Sequence, residues 1–101
     1  MTMTHYQKIF SQEGLTFKAV LEQKPVSECH FWLFPGRDDE YLDFSVWAVD
    51  PKTDAIDYSY YTVSRVIDDS EGLSMETLLK YIENFKDNFG YMNLKKEELA
   101  A

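Results

Sequence analysis

Between Asp38 and Glu76 the chain interleaves carboxylates with large rings, a combination suited to gripping a cationic surface. Asp38, Asp39, Glu40, Asp43, Asp50, Asp54, Asp57, Asp68, Asp69, Glu71 and Glu76 face only Lys52 and Arg65 there, an excess of nine negative charges in a chain whose net charge is −8. The rest is close to neutral. Tyr41, Phe44, Trp47, Tyr58, Tyr60 and Tyr61 fall in the same window. Carboxylates accept charge-assisted hydrogen bonds from Arg and Lys, while Tyr and Trp bury large area at low entropic cost, so a basic protein surface is the partner these residues predict.

Other chemistries find less support. His5 and His30 are the only histidines, and Cys29 adjoins His30; consecutive strand residues point to opposite faces, so this pair does not chelate together. The acidic stretch from Asp50 to Asp57 has Lys52 where a calcium loop needs an oxygen and lacks the glycine of its sharp turn. Asp68-Asp69-Ser70-Glu71-Gly72 lacks the alternating ligand spacing. No Gly-X-Ser-X-Gly elbow or phosphate-binding glycine loop occurs. The sequence therefore predicts no catalytic site, no metal and no cofactor.

Bulk properties narrow the partner further. A pI near 4.6 repels phosphate backbones and anionic lipid, which argues against direct nucleic-acid binding and against a membrane partner. The single Cys29 cannot form an internal disulfide. With a Met-Thr-Met-Thr-His-Tyr start and no apolar run of membrane-spanning length, cytoplasmic residence is the expectation. At 101 residues and 45% hydrophobic content the chain suits one domain with one core.

The elements that would carry these residues follow from periodicity. Tyr6, Ile9 and Phe10 have helical spacing and Gly14 offers a left-handed stop, predicting a first helix over residues 3–12. Leu15, Phe17, Ala19 and Leu21 alternate with polar residues as a first strand. Cys29 to Phe34, ended by Pro35-Gly36, is a second strand covered on both faces. Tyr41 to Val49 is a third, with Leu42, Phe44, Val46 and Ala48 inward and Tyr41, Asp43, Ser45 and Trp47 outward. Ile56 to Val66 is a fourth, its parity reversing near Tyr60 and Tyr61 as a bulge would require. Met75, Leu78, Leu79, Ile82, Phe85 and Phe89 form one helical stripe, opened by Ser74 as N-cap and followed by Gly90. The predicted fold is α+β: a four-stranded antiparallel meander flanked by an N-terminal helix and a longer C-terminal helix, order αββββα. Residues 1–94 form one domain, and residues 95–101 a charged tail, helical or frayed.

On this frame the candidate partner-binding residues are Asp38, Asp39, Glu40, Asp43, Trp47, Asp54, Asp57, Tyr58, Tyr61, Asp68, Asp69 and Glu71. The outer parity of the third and fourth strands gathers Asp43, Ser45, Trp47, Asp57, Ser59 and Tyr61 on one face. The predicted function is a small stoichiometric inhibitor of the immunity, antitoxin or phage anti-defence (anti-CRISPR) type. Its carboxylates would take the places of phosphates on the basic surface of a nuclease or other nucleic-acid-binding enzyme. Two alternatives stand beside it. One is an acidic cytoplasmic chaperone or adaptor that holds a secreted effector through apolar grooves. The other is that acidity only keeps the protein soluble while Trp47 and Tyr61 pack as core.

Overall fold

The computed structural model describes residues 5–25 and 40–96. Four antiparallel strands form one sheet, β1 (His5–Gln12), β2 (Leu15–Pro25), β3 (Glu40–Ala48) and β4 (Val63–Asp68), in the spatial order β1-β2-β3-β4. One helix, α1 (Met75–Asn88), follows, and a 3-10 turn over Phe89–Tyr91 continues it. The order is ββββα.

The expected N-terminal helix is absent, and that segment is the edge strand β1. Tyr6 and Phe10 lie four residues apart, a spacing that puts both on one face of a helix and equally on one face of a strand. Opposite Leu21 and Phe17 they sit on the core side of the sheet, while Ile9, which suggested the helical reading, lies on the other side and is 53% exposed. Gly14 is left-handed as expected (φ 80°), but Glu13 is too (φ 49°). Two consecutive left-handed residues are the signature of a tight type I′ hairpin turn rather than of a helix end, and they join β1 to β2.

The expected strand over Cys29 to Phe34 lies outside the described residues; β2 pairs directly with β3, from Phe17↔Ala48 to Pro25↔Glu40. The fourth strand is shorter and later than predicted. Ile56 keeps only an isolated bridge to Val49, and residues 57–62 turn away before Val63 begins β4. The Asp57 carboxylate accepts the Ser59 backbone N–H at 3.0 Å, an Asx turn that competes with strand extension. The change of parity near Tyr60 is therefore a turn and not a bulge.

The core occupies one side of the sheet. Phe10, Phe17, Ala19, Leu21, Leu42, Phe44, Val46, Ala48 and Ile67 meet Leu78, Ile82 and Phe85 of α1. Phe17 anchors the packing, with ring centroids 5.6 Å from Phe10, 5.3 Å from Phe85 and 5.8 Å from Phe89. Helix entry is fixed locally. Ser74 is extended, its hydroxyl accepts the Thr77 N–H at 3.1 Å, and the buried Thr77 hydroxyl donates to the Glu71 carbonyl at 3.0 Å. That cap satisfies a helix-end donor and ties the polar break after β4 to α1. Of the helical stripe, Leu78, Ile82 and Phe85 are buried, whereas Met75 and Leu79 are exposed.

Candidate functional site

The sheet separates the acidic residues into two ends and one face. β3 enters at Glu40 and leaves at Ala48, and β4 returns so that Asp68 lies opposite Tyr41. Asp68 and Glu71 thus sit at the entry end of β3, while Asp54, Asp57 and Tyr58 sit beyond its exit. At about 3.3 Å per strand residue the two groups are roughly 25–30 Å apart. Asp38 and Asp39 lie outside the described residues, and Glu40 and Asp69 are placed by backbone alone, at the start of β3 and of the 3-10 turn Asp69–Glu71. The continuous acidic window of the sequence is not one patch in space.

Several of the candidate carboxylates are committed to the fold. Asp43 lies on the outer sheet face, where its carboxylate takes the Lys24 ammonium at 3.0 Å and hydroxyls from Ser64 at 3.1 Å and Ser45 at 3.4 Å. The hydrogen bond to Asp43 raises the Lys24 pKa above its ordinary value; burial opposes this, and the charges of Asp43 and Glu22 assist it. Asp54 pairs with Lys18 at 3.2 Å and Glu71 with Lys80 at 3.1 Å. Asp68 accepts the Ser70 N–H at 2.9 Å. Trp47 is on the same outer face as Asp43, half-buried, in register with Lys18. The face expected to join Asp43, Ser45 and Trp47 with Asp57, Ser59 and Tyr61 does not form, because the last three lie in the turn that precedes β4.

The exit end of β3 is different. Val49 extends the sheet by donating to the Thr16 carbonyl at 2.9 Å and bridging Ile56. Asp50 N–H donates to the Ala55 carbonyl at 2.8 Å, Asp54 N–H to the Asp50 carbonyl at 2.8 Å, and Asp57 N–H to the Ala48 carbonyl at 2.9 Å. One Asp50 carboxylate oxygen accepts the Lys52 N–H at 2.7 Å and the Thr53 N–H at 3.3 Å, and Asp54 takes the left-handed conformation that closes the loop (φ 62°). Between this loop and the β1–β2 turn runs an open groove of ≈ 430 Å³, lined among others by Leu15, Thr16, Val49, Asp50, Ile56 and Asp57. Neither Asp50 nor Asp57 is ion-paired among the described residues, since each carboxylate serves only backbone N–H groups.

Exposed apolar surface continues from this groove. Ile56 and Tyr61 are exposed, and Tyr58 is 74% exposed. Tyr61 is held by its backbone, its N–H donating to the Leu94 carbonyl at 2.7 Å while Lys96 N–H donates to the Ser59 carbonyl at 2.8 Å. The Lys96 ammonium lies 5.4 Å from the Tyr61 ring centroid. Lys95, expected in a frayed or helical tail, is bridged to Tyr60. Of the residues at this end, the sequence pattern marks Asp57, Tyr58 and Tyr61 as candidates and leaves out Asp50 and Ile56, although the Asp50-Pro51 turn signal marks the loop that carries them.

Among the described residues, no three of His, Cys, Asp and Glu converge as a metal site, and no helix is long and apolar enough to cross a membrane. Comparison of the chain with protein-family models, with curated proteins and with solved structures gives no match.

Proposed function

We propose that the chain is a stoichiometric binding protein that docks on the basic, nucleic-acid-binding surface of a partner enzyme and blocks it. The observation that carries this reading is the exit end of β3, where Ile56, Tyr58 and Tyr61 stand exposed on the same connection as Asp50 and Asp57, two carboxylates that meet no cation among the described residues. Exposed rings on a turn held by backbone bonds lose little freedom when buried, and uncompensated carboxylates attract Arg and Lys over a Debye length. The net charge of −8 adds steering toward a cationic partner and disfavours nucleic acid itself. The committed carboxylates Asp43, Asp54 and Glu71 contribute to that field while making their own contacts within the fold.

The test is capture from the native host on the immobilised chain, compared with a Tyr58→Ser/Tyr61→Ser variant. The captured protein is expected to bind nucleic acid, to be displaced by a short competing duplex, to dissociate between 50 and 300 mM salt, and to be lost on the variant. A partner indifferent to both duplex and salt would replace this reading with an adaptor that holds its client through apolar contacts.

A further inference from the structure

The groove between the β1–β2 turn and the 49–57 loop combines apolar and acidic lining. Ile56 is its exposed apolar member, Leu15 is half-buried with one side against the core, and Val49 is buried. Its acidic members, Asp50 and Asp57, each turn one oxygen to backbone N–H groups, and the second oxygen of each accepts nothing among the described residues. Asp54, on the same loop, has Lys18 at 3.2 Å. Among the described residues, charge neutralisation therefore reaches the rim of the loop and stops short of the groove.

An occupant has to satisfy both features together. A divalent cation on two carboxylates would keep most of its waters and leave the apolar side of the groove unused. An aliphatic ligand would leave both charges without a partner, and an anion would be repelled. What fits an apolar wall with a carboxylate at its edge is an amphipathic cation, whose methylene stem lies on Leu15 and Ile56 while its head meets the acids. Arginine suits this better than lysine: its planar fork donates to two acceptors at once and is more weakly hydrated. The volume of ≈ 430 Å³ lies in the range of small-molecule clefts and exceeds what one side chain fills, leaving space for the residue beside it.

We propose that this groove receives an arginine side chain of the partner, the guanidinium bound by Asp50 and Asp57 and the stem packed on Ile56 and the open side of Leu15. The inference rests on the docking reading above and names the point at which docking is anchored. It also divides the labour at this end of the molecule: Tyr58 and Tyr61 cover surface around the anchor, and the groove selects the residue inserted.

The test uses blocked tetra-arginine and tetra-lysine peptides titrated into the isotopically labelled chain at 50 mM salt, followed by amide chemical shifts. Expected are saturable shifts concentrated at Leu15, Thr16, Val49, Ile56 and Asp57, with tetra-arginine binding at least about threefold tighter than tetra-lysine. An Asp50→Asn/Asp57→Asn variant keeps oxygen acceptors for the Lys52, Thr53 and Ser59 N–H groups, so its spectrum reports an intact fold, and its affinity for tetra-arginine should fall at least about fivefold. A Glu83→Gln/Asp87→Asn variant, with the same charge removed from the exposed side of α1, should bind as the native chain does. Shifts spread evenly over the acids of α1, or equal binding by the Asp50/Asp57 variant, would overturn the groove. If that variant also retains the captured partner while Tyr58→Ser/Tyr61→Ser loses it, the groove is wrong and the docking reading survives. Loss of the partner on neither variant would remove both.

Discussion

Asp43 illustrates how a carboxylate that looks free in the sequence is spent on the fold. Its alternation with Leu42 and Phe44 places it on the outer sheet face beside Ser45, which is where it lies, but nothing in one sequence announces that Lys24 of β2 and Ser64 of β4 meet it there across two strand junctions. Such pairings depend on register, and register emerges only when the strands are assembled. Asp50 is the converse, a turn residue by its sequence whose carboxylate, bonded to two backbone N–H groups, meets no cation among the described residues and lines a groove. Replacing Asp43→Asn should cost about 1 kcal/mol in denaturant melts, because a partly buried charged pair with two further hydroxyl donors is worth more than a fully exposed ion pair. The same contact has a pH signature. Lys24 titrates above its ordinary 10.5 in the folded chain, so its contribution is complete below that value and is lost as pH rises through the elevated one. The native midpoint should therefore fall more steeply above about pH 10.5 than that of Asp43→Asn. Parallel pH profiles would show that the pair contributes nothing.

Elements whose period was repeated over several turns were legible, and those resting on two or three residues were not. α1 follows its stripe and its Ser74 cap, and β2 and β3 follow their alternation. β1 was hidden because Tyr6 and Phe10 satisfy both periods and because a left-handed Gly14 ends a helix as readily as it makes a hairpin. The stripe on α1 was also read too widely. A helix resting on a flat sheet buries only the narrow arc that faces it, so Leu78 and Ile82 are enclosed while Leu79, one residue further round, is 37% exposed. Leu78→Ala should then destabilise by roughly 2–5 kcal/mol through the cavity it leaves, whereas Leu79→Ala should stay under about 1 kcal/mol. Equal losses in chemical denaturation would mean that α1 sits rotated toward Leu79.

At the scale of the molecule, local charge density was readable and its distribution in space was not. The acidic window from Asp38 to Glu76 runs up β3 and back down β4, so residues near in sequence finish at opposite ends of the sheet. The aromatic turn at the exit end is held in turn by the far end of the chain. Tyr61 N–H reaches the Leu94 carbonyl, Lys96 N–H reaches the Ser59 carbonyl, and the Lys96 ammonium lies over the Tyr61 ring. No periodicity in a seven-residue charged tail could have foretold that contact, since it comes from backbone bonds between segments more than thirty residues apart. Ending the chain after Lys95 removes the Lys96 donor and its cation while keeping the Leu94 acceptor and the partly buried Leu94 side chain. Global stability should change by under about 1 kcal/mol, because the segment lies at the periphery of the core. The Tyr61 amide should nevertheless exchange with solvent about tenfold faster, a local loss of roughly 1.4 kcal/mol in opening free energy. A partner that covers Tyr58 and Tyr61 should dissociate faster from the shortened chain with little change in association rate, since the ordering of the turn matters after encounter and the net charge, changed only from −8 to −7, still steers it. Unchanged exchange at Tyr61 would show that the Asp57 turn and the retained Leu94 and Lys95 contacts order it without Lys96.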